Sequence, residues 1–297
     1  MNLAPIALFA YNRPEHLQAS LDALSLNPLA SQSRLYLYSD GPKRHLDRSK
    51  VDMVRAVARR AKGFGEITLI ERDINLGLVA SITGEVRNLC EKFGRVIVLE
   101  DDLIPAPQFL TFMNEALGRF EGESRVMQVS GYMYPVDGQD GNRVVLLPTT
   151  SCWGWGTWHR AWNAYDPSLK GFESLKANPG RRRAFNLDGH YDYVKLLTDH
   201  VEGRVNSWGA VWYLNVFMLG GVTAYPPSSL ISNIGFDGSG THSQRSDLGQ
   251  VELKPIGETL VWPNAIEVDQ STYLAVKKLI RGSKRGLRHW LRNLFPV

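Results

Sequence analysis

From Ile6 to Phe120, short apolar runs alternate with stretches in which apolar side chains recur every three or four positions. Ile6-Ala7-Leu8-Phe9-Ala10 reads as a buried strand. Asn12-Arg13-Pro14-Glu15 then opens a helix, with proline in its first turn and an acid near its positive end. Leu17, Leu21 and Leu24 form that helix's apolar face. Leu35 to Tyr38 reads as a second strand, stopped by Ser39-Asp40-Gly41-Pro42. Val51, Val54, Val57, Ala58 and Ala61 mark a second helix, and Ile67 to Ile70 a third strand. Val79, Ile82, Val86, Leu89 and Phe93 keep helical spacing. Val96 to Leu99 is a fourth strand running into Glu100-Asp101-Asp102, and Phe109, Phe112, Met113, Ala116, Leu117 and Phe120 give a further helix face. Strand and helix in strict alternation predict an α/β fold, a mostly parallel sheet flanked by helices. Such sheets bind ligands at the carboxyl ends of their strands. Asn12 and Arg13, Asp40, Asp73 and Asn75, and Glu100 to Asp102 all fall at those ends.

The second half is more aromatic and less regular. Trp153, Trp155, Trp158 and Trp162 fall close together, with Gly154 and Gly156 between them. Two readings are open: a wall for the C–H faces of a sugar, or core. Trp208, Val211, Trp212, Val216 and Leu219 have helical spacing and read as core. Ile234 to Ser243 is a glycine-rich polar loop of the kind that closes over a ligand. The pattern divides the chain into residues 1–125, residues 126–262 and a tail, 263–297.

Composition narrows the class. The chain has 297 residues, 43% hydrophobic and 22% charged, enough for one large domain or two small ones. No apolar run approaches the ~20 residues of a spanning helix. The start has no basic segment of a signal peptide. Two cysteines, Cys90 and Cys152, build no disulfide framework, so a reduced, cytoplasmic protein is expected.

Charge singles out the tail. The net charge is +4, and from Lys277 to the end there are seven Lys/Arg and no acid, leaving a slightly acidic body. Leu279, Ile280, Leu287, Trp290, Leu291 and Phe295 interleave with that charge. Residues 277–297 therefore read as an amphipathic helix, either lying on an anionic membrane surface or packed on the body. Nucleic acid is not expected as a partner, because the body shows no basic stripe with aromatics.

The acidic triplet is the chemical centre. Three adjacent carboxylates at a strand end repel one another, and burial raises the cost. A hard cation, Mn²⁺ or Mg²⁺, would relieve this through oxygen ligands and keep positions open for phosphate oxygens. The other reading is a solvated acidic turn that caps the next helix. No G-x-G-x-x-G follows the first strand, and no G-x-x-x-x-G-K-[ST] occurs, against a dinucleotide dehydrogenase or a P-loop ATPase.

Three segments in order, Phe9 to Leu17, Tyr38 to Pro42 and Val98 to Phe109, resemble the GT-A class of sugar-nucleotide glycosyltransferases. They are most similar to bacterial relatives of the N-acetylglucosaminyltransferase I type. Cys152 to Trp158 and Asn233 to His242 extend the resemblance, which runs from about residue 5 to about residue 245. It implies a GT-A-like fold with a nucleotide-sugar-binding, Rossmann-like half (1–125), an acceptor-binding half (126–262) and the basic tail (263–297).

It further implies that Arg13 and Asp40 hold the nucleoside. Asn75, Glu100 and Asp101 contact the nucleotide sugar, and Asp101 is also expected to be catalytic. Asp102 binds the metal, with His242 as a second ligand or a diphosphate contact. The donor is a nucleotide sugar, UDP before GDP. The acceptor is a glycan or lipid-linked glycan, in surface polysaccharide or lipopolysaccharide assembly. Relatives often carry an Asp after a Trp in a Trp-Asp-x-x-Trp pattern, as catalytic base. Here Gly209 holds that place in Trp208-Gly209-Ala210-Val211-Trp212, and neighbouring Asn206 is neutral. Asp237 is the substitute expected, with Asp192, Asp199 and Glu202 behind it. Two rival readings stand: a non-catalytic carbohydrate-binding or scaffold protein, and a sugar nucleotidyltransferase. The latter needs a glycine-rich basic loop where this chain has Asn12-Arg13-Pro14.

Overall fold

The computed structural model describes residues 2–137, 141–238 and 251–282. Its centre is an eight-stranded sheet in the order β3-β2-β1-β4-β8-β6-β9-β7. The first four strands are β1 (Ile6–Ala10), β2 (Arg34–Ser39), β3 (Glu66–Glu71) and β4 (Arg95–Glu100). They run parallel, with Ile6 opposite both Leu35 and Ile97. The helices between them are α1 (Pro14–Ser25), α2 (Arg48–Ala58) and α3 (Leu78–Phe93), and α4 (Phe109–Arg119), α5 (His159–Trp162), α6 (Phe172–Ala177), α7 (Pro179–Phe185) and α8 (Tyr193–Val201) follow further along the chain. This is the α/β architecture that the alternating pattern predicts. All five residues of β1 are buried, as expected of a strand covered on both faces. α3 ends at Gly94, whose φ of +80° suits the left-handed closing position that glycine adopts without strain.

The sheet continues through the second half. β8 (Trp155–Trp158) runs antiparallel between β4 and β6 (Val126–Ser130), and β9 (Val222–Tyr225) lies parallel to β6. β7 (Val145–Leu147) closes the edge. One sheet thus crosses the boundary at residue 125. A two-stranded ribbon pairs β5 (Leu103–Pro105) with β10 (Ile231–Asn233), bringing the start of the glycine-rich loop beside the acidic triplet.

The tryptophans settle mainly into the core. Trp155, Trp158, Trp162, Trp208 and Trp212 are buried, and Trp155 stacks on Trp208 with ring centres 5.1 Å apart and lies 5.5 Å from Trp162. α9 (Trp208–Met218) is buried on every residue from Trp208 to Val216, so it runs through the interior. Cys90 and Cys152 are free and buried. The last described helix, α10 (Gln270–Gly282), buries Val276 and Ile280, and Lys277 pairs with Asp188 at 2.7 Å. This first part of the basic tail is packed on the body; residues 283–297 lie outside the described residues. Among the described residues, no helix is long and apolar enough to cross a membrane.

Candidate active site

A cavity of about 700 Å³ opens at the carboxyl ends of β1, β2 and β4. That size suits a small-molecule ligand. Its walls also include the loop before α3, the turn Gly203 to Asn206, Trp153, and Asn233, Gly235 and Phe236.

Arg13, at the start of α1, reaches across to the triplet. Its guanidinium pairs with Asp101 and, at 3.0 Å, with Asp102. Burial works against its charge, but Asp101 and Asp102 more than offset this, so Arg13 stays ionised. The triplet's backbone is pinned from below. The Asp101 N–H donates to the Phe9 carbonyl at 3.0 Å, and the Ser20 hydroxyl lies within 2.8 Å of the Asp101 and Leu103 carbonyls. The Asp101 carboxylate also accepts the Tyr11 N–H. The Glu100 side chain has no hydrogen-bond or ion-pair partner among the described residues. Burial pushes its carboxyl well above the ordinary carboxylate range, and Asp102 and Asp101 add to the rise.

Asp40, at the end of β2, accepts the N–H groups of Leu76 and Gly77 at 3.0 and 2.9 Å. Asn75 donates to the Gly41 carbonyl at 2.8 Å. Both residues therefore shape the loop that leads into α3 while lining the cavity. A carboxylate keeps acceptor capacity after two hydrogen bonds. Next to them, Arg72 lies over the Tyr38 ring, which stacks on Phe9 at 5.0 Å. Ser81 and Glu85 hold the Arg72 guanidinium at 2.6 and 2.8 Å.

Beside the cavity, Asp237 pairs with the buried His16 of α1 at 3.3 Å. Asp237 does not line the cavity, whereas its neighbours Gly235 and Phe236 do. Phe236 packs edge-on against Trp153. A Cβ at Gly235 would collide with the Asp102 carboxylate and meet Arg13 at 3.1 Å, so glycine keeps the space over Asp102 open. The remaining acids near Asn206 are engaged. Asp192 caps α8 (Tyr193–Val201), accepting the Lys195 N–H at 3.0 Å. Asp199 holds Lys195 and Arg204, whose hydrogen bonds lower its carboxyl below the ordinary range. Glu202 also pairs with Arg204. These contacts fix the turn that carries Arg204 to the cavity. His242 lies outside the described residues.

The triplet's donors are carboxylate oxygens alone, which suits a hard cation rather than a soft one. No group of three or more His, Cys, Asp and Glu that could hold a metal ion occurs among the described residues. Mg²⁺-type sites, however, take one or two protein carboxylates and complete their shell with substrate phosphates and water. Asp102, open on the Gly235 side, and unpaired Glu100 meet that need.

No family model matches the chain, and no curated protein matches it. Several solved structures do. The mannosyltransferase PcManGT from Pyrobaculum calidifontis, in complex with GDP-Man and Mn²⁺, is 12% identical over 74% of this chain and 76% of its own, with a TM-score of 0.40. Mouse xyloside xylosyltransferase 1 is 11% identical over 73% of this chain and 81% of its own, TM-score 0.38. S. aureus TarS 1-349 is 8% identical over 76% of this chain and 59% of its own, TM-score 0.40. At these scores the likenesses assign neither ligand nor activity to this chain.

Arg13, Asp40, Asn75 and all three acids of the triplet therefore converge on one cavity. Arg72, Tyr38 and Arg204 join them without having been expected, and His16 sits outside the cavity lining, against Asp237. Arg72 follows the third strand in Glu71-Arg72-Asp73, so its place at a strand end was the available signal. Arg204 and His16 offered none, because long-range packing places them.

Proposed function

We propose that the cavity binds a nucleoside diphosphate sugar and that the chain is a GT-A-type glycosyltransferase of the N-acetylglucosaminyltransferase I-like kind. The observation that supports this most is the union of two different walls in one cavity. One is the Arg13-bridged acidic triplet. The other is the Tyr38, Asp40, Arg72 and Asn75 wall, planar and rich in polar groups, at the scale of a nucleoside. Arg72, lying over Tyr38, offers a flat guanidinium face to a base, and Asp40 and Asn75 offer acceptors and donors to base or ribose. Asp102 and Glu100 would hold Mn²⁺ or Mg²⁺ against the diphosphate, where the cation supplies charge neutralisation for the leaving group. Arg13 pairs with Asp101 and Asp102 and holds both carboxylates in place. The acceptor hydroxyl attacks the anomeric carbon, the bond to the diphosphate oxygen breaks, and a carboxylate takes the hydroxyl proton. Asp237, oriented by His16, is the proposed base.

UDP is the proposed nucleotide, and a glycan or lipid-linked glycan at the cytoplasmic membrane face is the proposed acceptor. Release of nucleoside diphosphate from a panel of UDP- and GDP-sugars, with Mn²⁺ and a glycolipid extract, tests the reading. The wild type is expected to release one nucleotide, and Asp102→Ala to lose at least about a hundredfold in rate. Equal release by both proteins would remove Asp102 from the site.

A further inference from the structure

We infer that the outward face of α2, with the turn before it, docks on an anionic lipid bilayer. Residues 43–62 carry eight Lys/Arg and two Asp, a second basic concentration besides the tail. Outside these two segments acids outnumber bases. α2 buries Val51, Val54, Val57 and Ala58, which fixes its rotation and turns Arg48, Ser49, Asp52, Met53, Ala56 and Arg60 to solvent. Some of the charge is used locally: Arg44 pairs with Asp47, Arg59 pairs with Glu71, and Arg55 donates to the Arg72 carbonyl. Lys43, Arg48, Lys50, Arg60 and Lys62 have no acidic partner among the described residues.

Two large apolar side chains stand in the same field. Leu46 is 83% exposed and Met53 49%, and both border one shallow surface depression with Arg48 and Ala56. Leaving them in water forgoes apolar burial. Apolar studs among unpaired cations match the boundary between lipid headgroups and acyl chains, where the studs insert and the cations meet phosphate. A nucleic acid would use the cations but not the studs, and the segment has no Phe, Tyr or Trp on which bases could stack. The patch adjoins the cavity mouth, since Lys43 lines the cavity and its N–H donates to the Tyr11 hydroxyl at 2.9 Å. Docking through this face would set the cavity at the height of the headgroups. The inference stands without the transferase reading, because it rests on α2 alone.

Vesicle flotation of the full chain tests it, using phosphatidylcholine vesicles with and without phosphatidylglycerol. The wild type is expected to float with the anionic vesicles and not with the neutral ones. Arg48→Glu with Lys50→Glu and Arg60→Glu should lower that partitioning by about tenfold or more. Leu46→Ser with Met53→Ser should lower it several-fold even at high salt, where the electrostatic part is screened. All these side chains are exposed, so the melting temperature should stay within a few degrees. If the charge reversal unfolds the chain, Arg48→Gln with Arg60→Gln carries the same test. Partitioning of both variants equal to the wild type would place membrane contact elsewhere, 277–297 included, and overturn the inference. So would equal flotation with neutral vesicles, or binding to single-stranded RNA but to no vesicle.

Discussion

A hydrogen atom at residue 235 decides whether the Asp102 carboxylate has an open side. Gly235 sits where any side chain would strike Asp102 and crowd Arg13. Because Arg13 already pins Asp102 at 3.0 Å, the carboxylate yields only by breaking that pair. Gly235→Ala should therefore weaken binding of UDP with Mn²⁺ by about tenfold in calorimetry, while costing about 1–3 kcal/mol of stability in urea unfolding. Undiminished affinity would mean that the space over Asp102 is not used. Most of this was legible in the residues: Arg13 and Asp102 stand at strand ends, where an α/β sheet places ligand contacts. That Arg13 bridges Asp101 and Asp102 was not legible, since only the pairing of β1 with β4 brings them together.

Between α1 and α2, the elements are tied at the cavity rim by Asp47. Its carboxylate accepts from the Arg44 backbone and side chain and from the Tyr11 hydroxyl, each near 3.1 Å. Hydrogen bonds from Arg44 come first in pulling it down to about 2 from 3.8. A depressed carboxyl contributes stability that is present above the unfolded value and is lost as pH falls through the folded one. Asp47→Asn should thus be less stable than wild type at pH 7, and the gap should narrow steadily as pH falls from about 4 towards 2. Urea unfolding across that range checks it, and a gap independent of pH would contradict the assignment. The first four strands and their helices were legible because period-two and period-3.6 patterns are local. α2 ends at Ala58 although its apolar spacing continues to Ala61. The three-residue strands β5, β7 and β10 were not legible, because they are too short to show a period and partners distant in sequence define them.

Across the whole molecule, the second half is held by stacked indoles rather than by the acceptor wall that remained open for them. Only Trp153 of the four clustered tryptophans lines the cavity. Trp208 carries an indole N–H without a hydrogen-bond partner among the described residues, so its contribution is packing. Trp208→Ala should cost about 3–5 kcal/mol in urea unfolding. Trp208→Phe should cost much less, because no hydrogen bond is lost. Similar losses in both would point to a polar role for the indole. This packing also explains why Gly209 is admissible in the Trp-x-x-x-Trp segment: its place on α9 is fully buried, where a carboxylate without a partner would be expensive.

The account's central claim is that one cavity takes a nucleotide together with a divalent cation at Asp102. Thermal unfolding of the full chain against UDP, GDP and their sugar nucleotides, with Mn²⁺ and then with EDTA, addresses it most directly. A ligand at ~100 times its Kd adds about 2.7 kcal/mol of stability. The account predicts a clear rise in melting temperature with one nucleotide, abolished by EDTA and absent in Asp102→Ala. No rise with any nucleotide, or a rise indifferent to both EDTA and Asp102, would contradict it.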